Sequence, residues 1–492
     1  MNDEIIKIRK EKIERLKKGV DILIIGGGIT GSGILNALSS ITNNVAVVEA
    51  NDFAFGTSSR SSKLIHGGLR YLANGQFSVV INSVRERDFL LKYDHLIKKE
   101  YFLIPLDDYS WSKFSLKIGL FIYSFFSKNI KAKWFSKSKI SEIYPYLKYT
   151  PQRGGYIYAE GVVDDSRLVI ENIMSAIQNN AIALNYAEVL SINFSDKKAR
   201  EALIKDKITG EQFIVPFKIL VNAAGPWVGN IFEMIKKEFK KIENLNNLLK
   251  LSKGDHIIVN KELFPVNIAL AIRSPIDKRQ VFIIPREETV IIGTTETYFK
   301  GDISNPKPSE EEINYLIESV KRYIKDLKRN DIINAYSGIR PLFGKGEKLG
   351  KISREYKIIR CNNIINVLGG KITTYRTISL KVSKIIMREL NIKEKPTLNL
   401  AYIKKFTEIK DELKNKYNLK NDLQALFAYD ILYESAFHID DILWRREGFF
   451  IFSKDAGISK IDDVILSLKN ILGKDDKELE EERKKYLDSV YR

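Results

Sequence analysis

Cysteine is nearly absent: Cys361 is the single thiol in 492 residues, which excludes an intramolecular disulfide framework and points to a reducing compartment. Histidine is almost as scarce, with four in the chain. With no cysteine cluster beside them, nothing has the spacing of a structural zinc site, and no metal is expected. A long apolar run is also missing. The longest, IGLFIYSFF at 118–126, is far short of the roughly 20 residues a spanning helix requires, so no membrane crossing is expected. The first residues, MNDEIIKIRKEKIERLKKG at 1–19, lack the apolar core and small-residue cleavage site of a signal peptide. Their acidic residues argue against a transit peptide, and they read as an amphipathic helix. Internal repeats and low-complexity tracts are absent too. A hydrophobic content of 44% suffices for a buried core, so two or three packed units are expected.

What the chain has in excess is positive charge. Lys and Arg number 80 against 62 Asp and Glu, a formal charge of +18, which favours anionic partners: nucleic acid, acidic lipid or phosphorylated metabolites. A nucleic-acid binder should interleave basic residues with aromatics on one exposed element or carry a binding motif. Neither is found, and no nucleic-acid partner is expected. The apolar stretch at 118–126 sits among Lys113, Lys117, Lys128, Lys131 and Lys133, with Trp111 and Trp134 nearby. That mix suits an anionic membrane surface, and it is equally a core helix with basic ends.

Along the chain, an apolar run at 21–25 enters glycines, a helical pattern follows through Ile34, Leu35 and Leu38, and a second apolar run occupies 45–48. This is the start of a parallel βαβ unit and predicts an α/β, Rossmann-like domain. Further strand-like runs lie at 217–221, 257–259, 281–284, 290–292 and 364–368. Those near 45, 220 and 365 end in glycine or acidic residues, as strands feeding a nucleotide site do. Those from 257 to 292 suggest an antiparallel platform. From about Pro396 the pattern becomes helical, which predicts a C-terminal α-helical domain.

Gly26, Gly28 and Gly31, with Ile29 between them, have G-x-G-x-x-G spacing. The first allows the tight turn, the second admits a pyrophosphate, and the third lets helix and strand pack closely. The motif follows a strand, opens a helix, and is answered at the end of the next strand by Glu49, placed to accept hydrogen bonds from ribose hydroxyls and to repel a 2′-phosphate. NAD and FAD share this fingerprint. Two distant segments favour FAD. One, at 55–72, offers Thr57, Ser58, Ser62, Lys63, Leu64 and His66 to an extended cofactor. The other, at 365–375, runs through Gly369, Gly370, Lys371 and Thr373 into a helical pattern whose N-terminus would stabilise an anionic reduced flavin.

The chain resembles the FAD-dependent glycerol-3-phosphate dehydrogenases of the D-amino-acid-oxidase-like flavoenzyme group. The resemblance rests on SSKLIHGGLRYL at 61–72, VNAAGPWV at 221–228, KGDHIIV at 253–259, IIGTTE at 291–296, YSGIRPL at 336–342, SREY at 353–356, GGKITTYR at 369–376 and HIDDILWRREG at 438–448. Asp255 stands where a serine is usual, FAFG precedes TSS, and the first helix is an extension. The resemblance implies an FAD-dependent region at 20–395, with cofactor segments 20–110, 150–250 and 335–395 interleaved with substrate segments 111–149 and 251–334. The helical domain is 396–492.

It further implies oxidation of sn-glycerol 3-phosphate to dihydroxyacetone phosphate, with hydride passing from C2 to flavin N5 and electrons going on to a quinone. Arg340, Arg354 and Lys371, with Arg70 and Tyr71, would surround the substrate, and guanidinium forks match phosphate oxygens bidentately. His66 is the first candidate base and His256 its helper, since an ordinary imidazole pKa of about 6.5 suits proton removal near neutrality. Arginine as the base is unattractive, with a pKa above about 12. Val189, Ala224, Gly225 and Trp227 would line the nucleotide. The expected setting is the inner face of the cytoplasmic membrane, as a peripheral protein and a possible homodimer. The alternatives are an oxidase that releases hydrogen peroxide and a related hydroxy-acid or amine oxidoreductase.

Overall fold

The computed structural model describes residues 3–68, 77–127, 130–239, 249–344, 356–402 and 404–490. Its first sheet has the strand order Lys357–Cys361, Ile364–Leu368, Gln212–Asn222, Val20–Ile25, Val45–Val48, Ile182–Leu184. Every neighbour from Ile364–Leu368 onward is parallel. Parallel strands covered on both faces must be apolar throughout, and alternate residues here feed two different cores. Ile22 and Ile24 pack with Ile34, Leu35 and Leu38 of the helix Ile29–Ser39 and with the helices Asp165–Gln178 and Tyr375–Leu390. Leu23 and Ile25 face the opposite core, which Ile13 and Leu16 of the first helix, Asp3–Lys17, help to close. The N-terminal helix thus lays its apolar side on the cofactor sheet, and its buried Arg9 is ion-paired with Asp206 at 2.7 Å.

The second sheet is the platform. Its order is Thr297–Tyr298, Leu249–Asn260, Thr289–Gly293, Gln280–Pro285, Ala269–Arg273, Ile97–Pro105, Gly154–Val163, Leu64–Ile65, and Ile332–Phe343 also pairs with Leu249–Asn260. All these pairings are antiparallel except that of Ala269–Arg273 with Ile97–Pro105. The register sets His256 between Gly293 and Tyr336, and Ser252 beside Arg340.

The C-terminal region is helical: Phe406–Tyr417, Asp422–Glu434, Ile461–Leu472 and Asp476–Ser489, with a π-helical turn at Asp441–Arg446. That turn drives Arg445 and Arg446 into the cofactor domain, where both pair with Asp52 at 2.7 and 2.8 Å, all three fully or almost fully buried. Glu434 likewise reaches Arg167 at 2.7 Å. The two arginines hold the Asp52 carboxyl down at about 2 against the opposing effect of burial. Among the described residues no helix is long and apolar enough to cross a membrane.

Candidate active site

A cavity of about 540 Å³ opens at the carboxyl ends of the parallel strands, the place where such sheets bind ligands. The glycine turn lines it. Gly26 has φ +107°, and a Cβ there would lie 2.6 Å from the Ala223 carbonyl oxygen; a Cβ on Gly31 would lie 1.9 Å from that of Gly26. Both contacts are with backbone, which cannot step aside. Gly31→Ala is therefore expected to weaken FAD binding by at least about a hundredfold, read as loss of the visible flavin absorbance from the purified protein; a yellow Gly31→Ala protein would refute this.

Glu49 closes the turn. One carboxylate oxygen accepts from the Gly27 N–H at 2.7 Å and the other from the Asn51 N–H at 2.9 Å. Burial raises its pKa while those two bonds oppose the rise, and the lone pairs they leave suit ribose hydroxyls. Ser58 Oγ accepts the Ile29 N–H at 2.9 Å, fixing the loop that follows the βαβ unit over the start of the helix. On the far wall Gly370, Lys371 and Thr373 line the cavity. There the turn Ile372–Thr374 runs into the helix Tyr375–Leu390 and presents the positive end of that helix to a ligand. An elongated, polyanionic dinucleotide fits this lining.

Of the residues expected from sequence, Gly26, Gly28, Ile29, Glu49, Thr57, Ser58, His66, Val189, Ala224, Gly225, Trp227, Arg340, Gly370, Lys371 and Thr373 all line this one cavity. Gly31, Ser62, Lys63, Leu64 and His256 are not among its lining residues. The Lys63 ammonium is buried and ion-paired with Asp165, and it donates to the Ser59 carbonyl at 2.9 Å, so its side chain supports the loop. Arg70, Tyr71 and Arg354 lie outside the described residues. Asn51, Lys207, Asn230 and Met234 also line the cavity; nothing in their local sequence marks them.

The end of the cavity that holds Arg340 is organised by the strands Leu249–Asn260 and Ile332–Phe343. Arg340 donates to Thr294 Oγ1 at 2.8 Å and to the Thr295 carbonyl at 3.4 Å. Gly254 makes room for it, since a Cβ there would sit 2.1 Å from the guanidinium. Two residues on, His256 stacks against Tyr336 with ring centroids 4.8 Å apart, and its Nε2 is 2.8 Å from Ser62 Oγ. Burial, then Arg340 and Lys63, push the His256 pKa well below its ordinary value, so the ring is neutral at neutral pH. Its Nδ1 is buried with no hydrogen-bond partner among the described residues. His66 instead reaches the cavity. Its backbone N–H donates to Thr373 Oγ1 at 3.1 Å, and its ring meets Phe282 edge-on.

Asp255 lies behind Arg340. Its carboxylate accepts from Ser337 Oγ at 2.5 Å and from Thr295 Oγ1 at 3.0 Å, and its N–H donates to that same hydroxyl at 2.9 Å. The threonine that holds Arg340 is thereby tied to the neighbouring strand. Burial and the nearby Glu312 carboxylate raise the Asp255 pKa to about 7.

A doubly covered parallel sheet, a glycine turn answered by Glu49, and a helix end beneath the far wall define a flavin-dependent oxidoreductase. Residues 21–372 match the family described as FAD dependent oxidoreductase. The chain is 35% identical over 407 residues to an aerobic glycerol-3-phosphate dehydrogenase of Staphylococcus haemolyticus, covering 81% of this chain and 71% of that protein. It is 34% identical to another from Staphylococcus epidermidis, covering 77% and 70%. The crystal structure of the FAD complex of the Bacillus halodurans glycerol-3-phosphate dehydrogenase superposes with a TM-score of 0.74 at 25% identity, over 98% of this chain and 97% of that one. The chain belongs to the aerobic glycerol-3-phosphate dehydrogenases within the FAD-dependent oxidoreductase family, and FAD is its cofactor.

Proposed function

We propose that this protein oxidises sn-glycerol 3-phosphate to dihydroxyacetone phosphate. The observation that carries the reading is Arg340, pinned by Thr294 and Thr295, lining the same cavity as Lys371 and the glycine turn. A planar guanidinium fork with an ammonium beside it matches a phosphate dianion. Bound FAD supplies the acceptor for the hydride that leaves C2. Arg340 and Lys371 hold the phosphate, with Arg70, Tyr71 and Arg354 assigned to the same task by their motifs. His66 takes the hydroxyl proton, and the neutral His256 buttresses the wall through Ser62. The test is anaerobic: glycerol 3-phosphate added to the purified protein bleaches the oxidised flavin band, whereas glycerol and lactate do not. A yellow protein that glycerol 3-phosphate leaves unbleached would sink the substrate assignment.

The electrons are proposed to pass to a membrane quinone, with the protein docked on the inner face of the cytoplasmic membrane. What supports docking is the helix Lys113–Phe126. Leu116, Leu120 and Tyr123 are buried on one side of it, while Phe114, Phe121 and Phe125 are 72%, 71% and 75% exposed on the other, with Ile118 beside them. An apolar stripe bordered by Lys113 and Lys117 suits the headgroup boundary of an anionic bilayer. The double variant Phe121→Glu/Phe125→Glu is expected to reduce partitioning onto anionic vesicles by about tenfold or more and to leave anaerobic bleaching unchanged. Unaltered sedimentation with vesicles would remove this helix from the docking surface. Hydrogen peroxide release in air would favour oxygen over quinone as acceptor.

A further inference from the structure

A second cavity, also of about 540 Å³, lies between the cofactor domain and the last helix. Phe55 and Ser304 border both cavities. Its notable member is Arg60. This guanidinium has no carboxylate and no hydrogen-bond acceptor among the described residues, and its Nε is fully buried. It sits instead over aromatic rings, 4.9 Å from the centroid of Trp444 and 5.6 Å from that of Phe55. Such stacking holds the plane of the group and leaves its N–H edge unused. Burial and the nearby Arg445 push its pKa down to about 10, against the smaller upward pull of Asp440. A partly desolvated cation without a partner is costly unless something neutralises it.

The carboxylates near Arg60 are already engaged. Asp440 pairs with Arg445 at 2.8 Å, and Glu482 pairs with Lys474 and with His438 at 2.8 Å. Lys307, Lys484 and Lys485 join Arg60 in the lining, against the exposed Glu481 and Asp488. Polar, proline and aliphatic residues make up much of the remaining wall, together with Trp444, stacked on Phe450 at 3.9 Å, and Tyr336, which donates to the Ser61 carbonyl at 2.8 Å.

We propose that this cavity is a second binding site, for a small phosphate monoester whose phosphate rests on the unused N–H edge of Arg60. The unused guanidinium edge calls for an anion, and a volume of about 540 Å³ calls for more than a bare ion. The site is independent of the substrate assignment, because none of its cations lines the cofactor cavity.

Calorimetric titration of the FAD-loaded full chain with phenyl phosphate, at low ionic strength, tests it. Wild type is expected to show a binding event that Arg60→Gln weakens by at least about tenfold and that Arg340→Ala leaves in place. Arg60→Lys, which keeps the charge without the fork, is expected to fall between. Affinity unchanged in Arg60→Gln, or lost only in Arg340→Ala, would overturn the proposal. Should Arg60→Gln fail to hold its flavin, Lys484→Gln/Lys485→Gln decides, since both lysines are exposed. A severalfold weaker affinity supports the site, and an unaltered one rejects it.

Discussion

Replacing Arg340 with alanine is expected to lower kcat/KM for glycerol 3-phosphate by roughly a thousandfold while the protein stays yellow. A charge-assisted hydrogen bond to an ionic group contributes about 1.5–3 kcal/mol. The fork can make two to a phosphate, and about 4 kcal/mol corresponds to about three decades in rate. The side chain is oriented before substrate arrives, because Thr294 and Thr295 already hold it. Arg340→Lys keeps the charge and loses the fork, and an intermediate loss of about ten- to a hundredfold is expected. Since a phosphate grip acts on substrate and transition state alike, much of the change should appear in KM. Steady-state assays with an artificial electron acceptor give both constants. An Arg340→Ala enzyme with wild-type kcat/KM would exclude the residue from the phosphate site.

The largest effect on stability is expected from Asp52→Asn, a loss of about 3–5 kcal/mol, because it leaves the buried Arg446 without its ion-pair partner and removes one of the three carboxylates around Arg445. The pH dependence has a definite sign. The folded-state pKa of Asp52 is lowered, to about 2, from an unfolded value near 3.9. The stabilisation is therefore complete above the unfolded value and disappears as pH falls through the folded one. Urea midpoints of wild type and variant should differ fully at neutral pH and converge between about pH 4 and pH 2. Parallel curves across that window would mean that the carboxylate is not what holds the two arginines.

What could be read in advance was what is local. The turn at Gly26, Gly28 and Gly31 and the acid at Glu49 lie within one βαβ unit, where spacing alone dictates shape. The apolar runs at 45–48, 217–221 and 364–368 became parallel strands of one sheet, and those at 257–292 joined the platform. Strands such as Gly154–Val163, with glycines and tyrosines in place of a continuous aliphatic run, left no such trace. Neither did the hold on Arg340, which depends on two threonines about 45 residues away, or the burial that keeps His256 neutral. The helix Lys113–Phe126 shows the limit in another way. Its composition fitted both a core helix and a membrane-surface helix, and it buries one apolar side in the interior while leaving another exposed. The Asp52 cluster was invisible because its partners are separated by nearly the whole chain.

That separation orders events during synthesis. Asp52 leaves the ribosome with the first strands, whereas Arg445 and Arg446 follow only when almost all of the polypeptide has been made. Until then the loop beyond Glu49 carries an acid destined for the interior with nothing to neutralise it. The nascent cofactor domain therefore cannot complete this cluster before residue 446 is made, and a chain interrupted before residue 445 would lack both guanidiniums that Asp52 pairs with.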